Sequence, residues 1–338
     1  MPTVCGSTRT RDPLRSVALH KPGPMRLLPH PFVLAPMEEH TSLPFRMRAR
    51  AHGAGLVFAE RLDAEDVASR DKRALKLLAT EPGERPAMAQ VSTRDPAAAA
   101  AAAVVCAERG FAGVDLNCEC PVKRVLGKGA GGALMSEPAL IGQIVAAMVA
   151  AVPVPISVKL RSGPDDDHEN AAECARAAAE SGAALVMVHS RSVAKGYAGP
   201  ADWAISTRVK AAVNILVVAS GGIRSAEDAV ACLRQTGCDG VAMARGCLGN
   251  PWIFARARAL YAGSPPPEPP DAQARGRELI ALAEAEWRWY GPGLALRRLP
   301  RTACYFAKDT TWFTEFRSAV QQVRDLDGLK RLVRERFR

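Results

Sequence analysis

The sequence predicts an α/β fold, a (β/α)8 TIM barrel, followed by a small all-α C-terminal domain. Eight short apolar segments have strand character, and helix-like segments alternate with them at a spacing of roughly 25–35 residues, as βα units require. A doubly wound sheet is the competing architecture. It normally has fewer strands and needs a glycine-rich fingerprint after the first strand, where Ala35-Pro36-Met37-Glu38 stands instead. The barrel is therefore the predicted fold.

The elements of the barrel are predicted in order from these alternating patterns. The strands are Phe32–Met37, Leu56–Leu62, Ala87–Ser92, Gly113–Asn117, Ile156–Arg161, Leu185–Ser190, Ile215–Ser220 and Gly240–Ala244. The helices are Leu43–His52, Ala64–Ala79, Pro96–Arg109, Glu137–Ala151, Glu169–Ser181, Ala201–Val213, Ser225–Gln235 and Pro251–Ala262. Ser136 and Ser225 precede acidic first turns and are predicted N-caps, and Gly182 and Gly237 are predicted C-terminal caps.

Composition divides the chain into four parts. Residues 1–31 form a basic N-terminal extension, residues 32–262 the barrel, and residues 263–270 a proline-rich linker that is stiff and extended. Residues 271–338 contain only helix-like patterns and are predicted to be a second, helical domain. The apolar runs fall well below the roughly 20 residues that span a bilayer, and the N-terminus has no apolar block of a secretory leader.

The net charge of +10 is concentrated at the two ends of the chain. Residues 1–31 hold five Lys/Arg against one Asp, residues 251–338 hold sixteen against ten acidic residues, and the middle is neutral. A neutral body with two basic ends indicates a polyanionic partner, although arginine usage for solubility is the plainer explanation. Nine cysteines without a scaffold pattern indicate a reduced, cytoplasmic protein.

The stretch Gly113–Pro121 is predicted to carry the chemistry. An apolar strand runs into a polar turn with two thiols, and Pro121 ends it because proline disfavours helical backbone in the residue before it. Cys120 should therefore lie at the mouth of the barrel, where it is the candidate catalytic acid. The glycine-rich segment that follows, Gly127–Gly132, is expected to be mobile enough to fold over a ligand.

Polar side chains from nearly every strand are expected to converge at the same mouth, because active sites of such barrels form at the C-terminal ends of the strands. Lys159 and Arg161 point the same way by strand alternation, and an ion pair with Glu60 or Asp115 is the structural alternative for one of them. Glycines after strands seven and eight would let backbone amides approach a phosphate. The converging residues are Pro36, Met37, Glu60, Gln90, Asn117, Cys120, Lys159, Arg161, His189, Arg191, Ser220, Gly221, Gly222, Ala244, Arg245 and Gly246.

A metal site is not expected at Cys118-x-Cys120. Zinc requires about four ligands, and no second Cys or His pair lies at ligand spacing. The loop Gly127–Gly132 is not a Walker loop, since no Gly-Lys-Ser/Thr ends it.

Several ordered blocks between about residues 32 and 330 resemble the tRNA-dihydrouridine synthases, FMN-dependent enzymes that reduce uridine in RNA. Asn117-x-x-Cys120-Pro121 is similar to the family's catalytic Asn-x-Gly-Cys-Pro motif, and the C-terminal segment from Leu296 to Tyr305 looks most like the bacterial B-type. The other blocks are Ala35–Met37 with Thr41 and Pro44–Arg46, Gly127–Met135, Val158–Arg161, Val188–Arg191, Gly199–Trp203, Arg245–Gly246 and Gly249–Trp252.

The resemblance implies an activity and a set of roles. NADPH (or NADH) would reduce FMN, the reduced flavin would deliver hydride to C6 of a uracil flipped out of its RNA stack, and Cys120 would donate a proton to C5. Asn117 and Arg161 would hold the uracil, and tRNA or another structured RNA would be the partner. The residues implied for FMN are Pro36, Met37, Gln90, Lys159, His189, Gly221, Gly222, Ala244, Arg245 and Gly246.

Some residues depart from the family pattern. Glu119 stands where the family usually has glycine, Ser220 and Gly222 replace Asn and Asp, and Ser42 replaces an Asp. A carboxylate beside Cys120 is expected to raise the thiol pKa if it points inward. Two alternatives follow: a flavin reductase of a free pyrimidine, which would need no basic helical domain, and an RNA-binding protein that has lost its catalytic activity.

Overall fold

In the computed structural model, which describes residues 27–338, eight parallel strands close into one barrel in chain order. The predicted (β/α)8 barrel is confirmed. Each strand pairs with its neighbours in sequence, and the last returns to the first through Phe32↔Val241 and Leu34↔Met243. The predicted extension at residues 1–31 falls mostly outside the described residues. The strands are β1 (Phe32–Leu34), β2 (Leu56–Asp63), β3 (Ala87–Ser92), β4 (Gly113–Cys118), β5 (Ile156–Arg161), β6 (Leu185–His189), β7 (Leu216–Ser220) and β8 (Gly240–Met243).

Helices alternate with the strands and continue after the barrel. Those of the barrel are α1 (Leu43–Ala51), α2 (Ala64–Ala68), α3 (Lys72–Leu77), α4 (Pro96–Glu108), α5 (Lys123–Leu126), α6 (Pro138–Ala151), α7 (Ala171–Glu180), α8 (Ala204–Ala212), α9 (Ala226–Thr236) and α10 (Ile253–Tyr261). Those that follow it are α11 (Ala272–Tyr290), α12 (Pro292–Ala307), α13 (Phe313–Val320) and α14 (Leu326–Arg336).

Local chemistry explains where these helices begin and end. Ser225 forms the predicted N-cap of α9, a capping box with Asp228, and Gly237 ends that helix in the left-handed conformation. The prediction for Ser136 is wrong, because a 3₁₀ turn takes up that residue and Glu137 becomes the N-cap. The predicted helix Ala64–Ala79 is split in two, since Arg70 adopts a positive φ and Asp71 caps the second helix.

The barrel interior is apolar at its base. Side chains alternate along each strand, so one set points into the barrel and the other packs under the helices. The inward set forms a separate cluster that includes Val33, Leu56, Phe58, Met88, Leu185, Met187 and Val218. This plug closes the N-terminal end, and the polar inward residues are left at the C-terminal end, where the strands open into loops.

The C-terminal helices pack directly on the barrel. Leu279 of α11, and Leu299 and Phe306 of α12, belong to the same buried cluster as the barrel helices. Polar contacts join the two parts as well. Ser42 donates to Glu286 over 2.9 Å, and Arg298 lies 3.3 Å from Glu60 of β2. The helices therefore stand beside the mouth of the barrel.

Within residues 27–338, no helix combines the length and the apolar character needed to cross a membrane. The same part of the chain contains no group of three or more His, Cys, Asp or Glu side chains arranged to hold a metal ion.

Candidate active site

A cavity of about 300 Å³ opens at the C-terminal ends of the strands. Its volume is at the lower end of the range for small-molecule sites. The structure brings twelve of the residues predicted to converge together around it. These are Pro36, Met37, Gln90, Asn117, Cys120, Lys159, His189, Arg191, Ser220, Gly221, Ala244 and Arg245.

Gly222 and Gly246 line an adjoining groove. Gly221 and Gly222 have φ values of 102° and 79°, which side-chain-bearing residues rarely adopt, so the turn after β7 depends on them. A Cβ at Gly246 would lie 2.7 Å from the carbonyl oxygen of Ile223, so the backbone packs closely there. The loops after β7 and β8 thus expose backbone beside the cavity.

Arg161 lies behind the cavity wall. Its side chain is fully buried and donates from Nε to the carbonyl of Glu119 over 2.7 Å and from Nη1 to the carbonyl of Ser192 over 3.0 Å. Nη2 is buried without a hydrogen-bond partner among the described residues. Its guanidinium also stacks over Tyr197, 5.3 Å from the ring centre. Arg161 therefore joins the loops after β4 and β6, which is a role that the sequence did not predict.

Cys120 is held at the cavity by the turn that follows β4. Asn117 accepts hydrogen bonds from the backbone N–H groups of Glu119 and Cys120 over 3.3 and 3.0 Å, so its side chain caps the turn. The glycine segment packs under this turn, because the N–H of Gly132 donates to the carbonyl of Cys120 over 3.0 Å. Burial raises the pKa of the Cys120 thiol, and Glu38 and Glu119 add to this effect. The raised pKa favours the protonated thiol at neutral pH.

Glu119 points into the cavity. Its carboxylate forms an ion pair with Nζ of Lys159 and lies 3.4 Å from Nδ1 of His189. Burial alone would raise the pKa of Glu119, but Lys159, His189 and Arg161 outweigh it and hold the pKa well below its usual range. Glu119 adopts no positive φ, so the turn accommodates a side chain at this position. The deep end of the cavity is therefore polar, with the Lys159 charge neutralised.

His189 is neutral and has one defined tautomer. Burial, with help from Lys159 and Arg161, lowers its pKa to about 4 even though Glu119 opposes the shift. Nη1 of Arg191 lies 3.1 Å from Nε2 of His189. Because a guanidinium can only donate, Nε2 accepts and the ring proton sits on Nδ1, facing Glu119. The imidazole thus connects the acidic and basic sides of the cavity.

The outer end of the cavity is cationic. Arg191 and Arg245 both line it, and neither has a carboxylate within ion-pair distance among residues 27–338. Burial lowers the pKa of Arg191, and Arg245, Arg161 and Arg224 lower it further. Arg245 stacks on Tyr197, 5.1 Å from the ring centre. Arg191 donates from Nε and Nη2 to the carbonyl of Gly199, so Arg245, beside the glycine turns, is the guanidinium best placed to bind an anion.

A family model described as dihydrouridine synthase matches residues 33–337. The chain belongs to the dihydrouridine synthase family. The protein named tRNA-dihydrouridine synthase B of Xanthomonas axonopodis pv. citri is 34% identical over 316 residues, which cover 93% of this chain and 95% of that protein. The protein of the same name in Pseudomonas aeruginosa is 35% identical over 312 residues, covering 92% and 93%. A probable tRNA-dihydrouridine synthase of Mycobacterium leprae is 34% identical over 309 residues, covering 88% and 79%.

These similarities confirm the family and the B-type resemblance predicted from the motifs, and with them an oxidoreductase. The dihydrouridine synthase family is flavin-dependent. The donor set of this chain fits a flavin mononucleotide, because Arg245 has no carboxylate partner among residues 27–338 and can bind a phosphate, and Gln90 and Lys159 can bind the polar edge of a flavin ring. Lys159 forms an ion pair with Glu119, so a flavin ring bound beside Lys159 would contact an ion pair without net charge.

The sequence did not predict two tyrosines that line this cavity. Tyr197 lies in the loop after β6 between Arg161 and Arg245, and Tyr305 of α12 lines the cavity from the helical part. The aromatic ring of Tyr197 in an otherwise small and basic loop was the available signal. No local pattern distinguishes Tyr305, whose position depends on how α12 packs on the barrel.

Proposed function

We propose that this protein reduces uridines in tRNA to 5,6-dihydrouridine, with FMN as its cofactor and NADPH (or NADH) as its reductant. Relatives named tRNA-dihydrouridine synthase align over nearly the whole chain and support this substrate. The cavity supports the cofactor, since it is polar at its deep end and cationic at its outer end. The eight cysteines of the described residues are all free, which supports a reducing, cytoplasmic environment.

Each lining residue has a role in this proposal. Gln90 and Lys159 would hold the polar edge of the FMN ring, Pro36 and Met37 its face, and His189 the region between ring and phosphate. The phosphate would be held by Gly221, Gly222, Ala244, Arg245 and Gly246. Bound FMN, once reduced, would supply hydride for C6 of the uracil.

The protein itself supplies the proton and the orientation of the substrate. Cys120 donates a proton from Sγ to C5 of the uracil, and its raised pKa favours the protonated thiol. Asn117, which lines the cavity, would orient the uracil, and Arg161, predicted for the same role, would support it from behind the wall by joining the loops after β4 and β6. Because a base inside folded RNA hides its ring faces, the uridine leaves its stack to reach this cavity.

The basic C-terminal region, residues 271–338, would bind the RNA backbone next to the mouth. Phosphate contacts of this kind weaken as salt is added, because counterions are released on binding. We therefore expect tRNA affinity to fall steeply between low and physiological ionic strength.

The observation that carries the proposal is the position of Cys120 at the edge of a cavity whose outer end holds the guanidinium groups of Arg191 and Arg245. The experiment is a visible absorption spectrum of the purified protein, before and after anaerobic NADPH, followed by addition of unmodified tRNA. A flavin spectrum that NADPH bleaches and tRNA restores, with dihydrouridine formed, is the expected result. Restoration by free uracil but not by tRNA would favour a pyrimidine reductase. A protein that takes up no FMN and still binds RNA would favour a binding protein.

A further inference from the structure

A chain of hydrogen bonds runs from the barrel interior to the turn that carries Cys120. Asp115 of β4 is fully buried and accepts from Nε2 of Gln90 over 2.8 Å. Oε1 of Gln90 accepts from Nδ2 of Asn117 over 3.0 Å. Oδ1 of Asn117 in turn accepts from the N–H of Cys120. Strand register places these groups side by side, since Gln90 pairs with Asp115 across β3 and β4.

Which group donates and which accepts in each of these hydrogen bonds depends on Asp115, the buried end of the series. An amide side chain can present either its oxygen or its NH2 group to a neighbour, so Gln90 and Asn117 have no intrinsic orientation. An acceptor at residue 115 makes Gln90 turn its NH2 inward and its oxygen toward Asn117. Asn117 must then donate to Gln90, and only its oxygen is left for the N–H groups of the turn.

The donors and acceptors in this series of hydrogen bonds stay the same whether or not Asp115 is protonated. Ser157 of β5 contacts Oδ1 of Asp115 through its hydroxyl group, which can donate to a carboxylate or accept from a carboxyl. Oδ2 is therefore an acceptor for Gln90 in both states. Lys159 and Glu119 are the charged groups that act on Asp115, and both line the cavity.

We propose that Asp115 is a positioning residue, which orients the amides of Gln90 and Asn117 and through them holds the turn that carries Cys120. The inference deepens the proposed function, because it names what places the proposed acid. Asp115 itself contacts neither the cavity nor Cys120, and its effect passes through two intermediate side chains.

The test is the rate at which iodoacetamide alkylates Cys120 in the full-length protein, followed by mass spectrometry of the peptide that contains it. Asp115→Val removes the acceptor and Gln90→Met removes the middle of the chain. Both should release the turn and speed alkylation at least fivefold. The double variant should be no faster than either single one, because all three break the same chain.

Two variants separate this role from a general loss of stability. Asp115→Asn can place its oxygen on Gln90 and its NH2 on Ser157, so it should alkylate within twofold of the wild type. Thr236→Val, which removes a buried hydroxyl of α9 far from the cavity, should also stay within twofold. If Asp115→Val does not fold, Gln90→Met and Asp115→Asn still decide.

The proposal is overturned if Asp115→Val and Gln90→Met alkylate at the wild-type rate, or if Asp115→Asn reacts as fast as Asp115→Val. Neither flavin nor tRNA takes part in the measurement. A wild-type protein that forms no dihydrouridine would therefore refute the proposed function and leave this result unaffected.

Discussion

Nδ1 of His189 lies 3.4 Å from Oε2 of Glu119, while Nε2 of the same ring lies 3.1 Å from Nη1 of Arg191. The neutral imidazole therefore separates a carboxylate from a cluster of guanidinium groups. One side of the cavity has its charge neutralised by protein groups, and the other side has positive charge to offer an anionic ligand. Four predictions follow from this asymmetry and from the residues that flank it.

Cys120→Ala should retain bound FMN and its reduction by NADPH but lose dihydrouridine formation by about 10² to 10⁴-fold, the usual contribution of a general acid. Product is measured in single-turnover reactions of the reduced protein with unmodified tRNA. Cys304→Ser is the matched control, because Cys304 is also partly exposed but lies in α12 outside the cavity lining. Equal yields from Cys120→Ala and the wild type would show that another group supplies the proton.

Glu119→Gln should destabilise the flavin-free protein and tighten FMN binding. The substitution leaves Lys159 buried without its carboxylate, and removing one partner of a buried ion pair costs about 3–5 kcal/mol. The flavin ring edge would then bind the Lys159 ammonium group without competition from the Glu119 carboxylate. Urea unfolding and FMN fluorescence titration measure the two effects.

Glu137→Gln provides the comparison for this ion pair, since it removes an exposed partner of Arg94 and should change stability by less than about 0.5 kcal/mol. A Glu119→Gln protein that is as stable as the wild type and binds FMN more weakly would mean that Glu119 itself supports the ligand.

Arg245→Ala should weaken FMN binding about 10-fold to 100-fold and leave riboflavin binding unchanged. Arg245 has no carboxylate partner in the described part of the chain, and a hydrogen bond to a charged group contributes about 1.5–3 kcal/mol. Equilibrium titrations with the two flavins isolate the phosphate, which riboflavin lacks. Arg70→Ala, at an exposed ion pair with Glu108, is the control and should alter neither affinity. Parallel losses for both flavins would place Arg245 at the ring.

The stability of the wild type relative to Asp115→Asn should fall as the pH rises from about 4 to about 7. Burial raises the pKa of Asp115 to about 7 from 3.8, although Ser157, Gln90 and Lys159 oppose the shift. Between these pH values the folded state binds more protons than the unfolded state, so raising the pH favours unfolding. The Asn variant lacks this dependence.

Urea unfolding of both proteins at pH 5 and pH 7 measures the difference, which should be on the order of 2 kcal/mol. The titration of His189 is common to both proteins and cancels in the comparison. Parallel pH profiles would mean that Asp115 is already ionised in the folded state at pH 5.

The strand ends were predictable because the side chains of a strand alternate and parallel strands end on the same side of a barrel. That rule alone places Gln90, Asn117, Lys159 and His189 in one cavity, where the structure has them. The rule fails for Arg161, the last residue of β5, because its guanidinium donates to loop carbonyls behind the wall of the cavity.

The rest depended on how loops and helices are packed. The direction of the Glu119 side chain follows from the rotation of a tight turn, and the sequence contains no period or spacing from which that rotation can be read. The contribution of Tyr305 required the position of α12 on the barrel. The family pattern predicts glycine at residue 119, and the ion pair with Lys159 explains how this chain accommodates a carboxylate there instead.

Tyr305 lines the cavity, and Leu279, Leu299 and Phe306 share the buried cluster of the barrel helices. The barrel and the C-terminal helices proposed to bind RNA are therefore not interchangeable modules. A chain cut at residue 262 would lose a wall of its own cavity and expose apolar surface, and a transplanted helical tail would have to match the barrel beneath it. Changes in RNA choice should consequently arise by substitution at this shared boundary and not by exchange of whole segments.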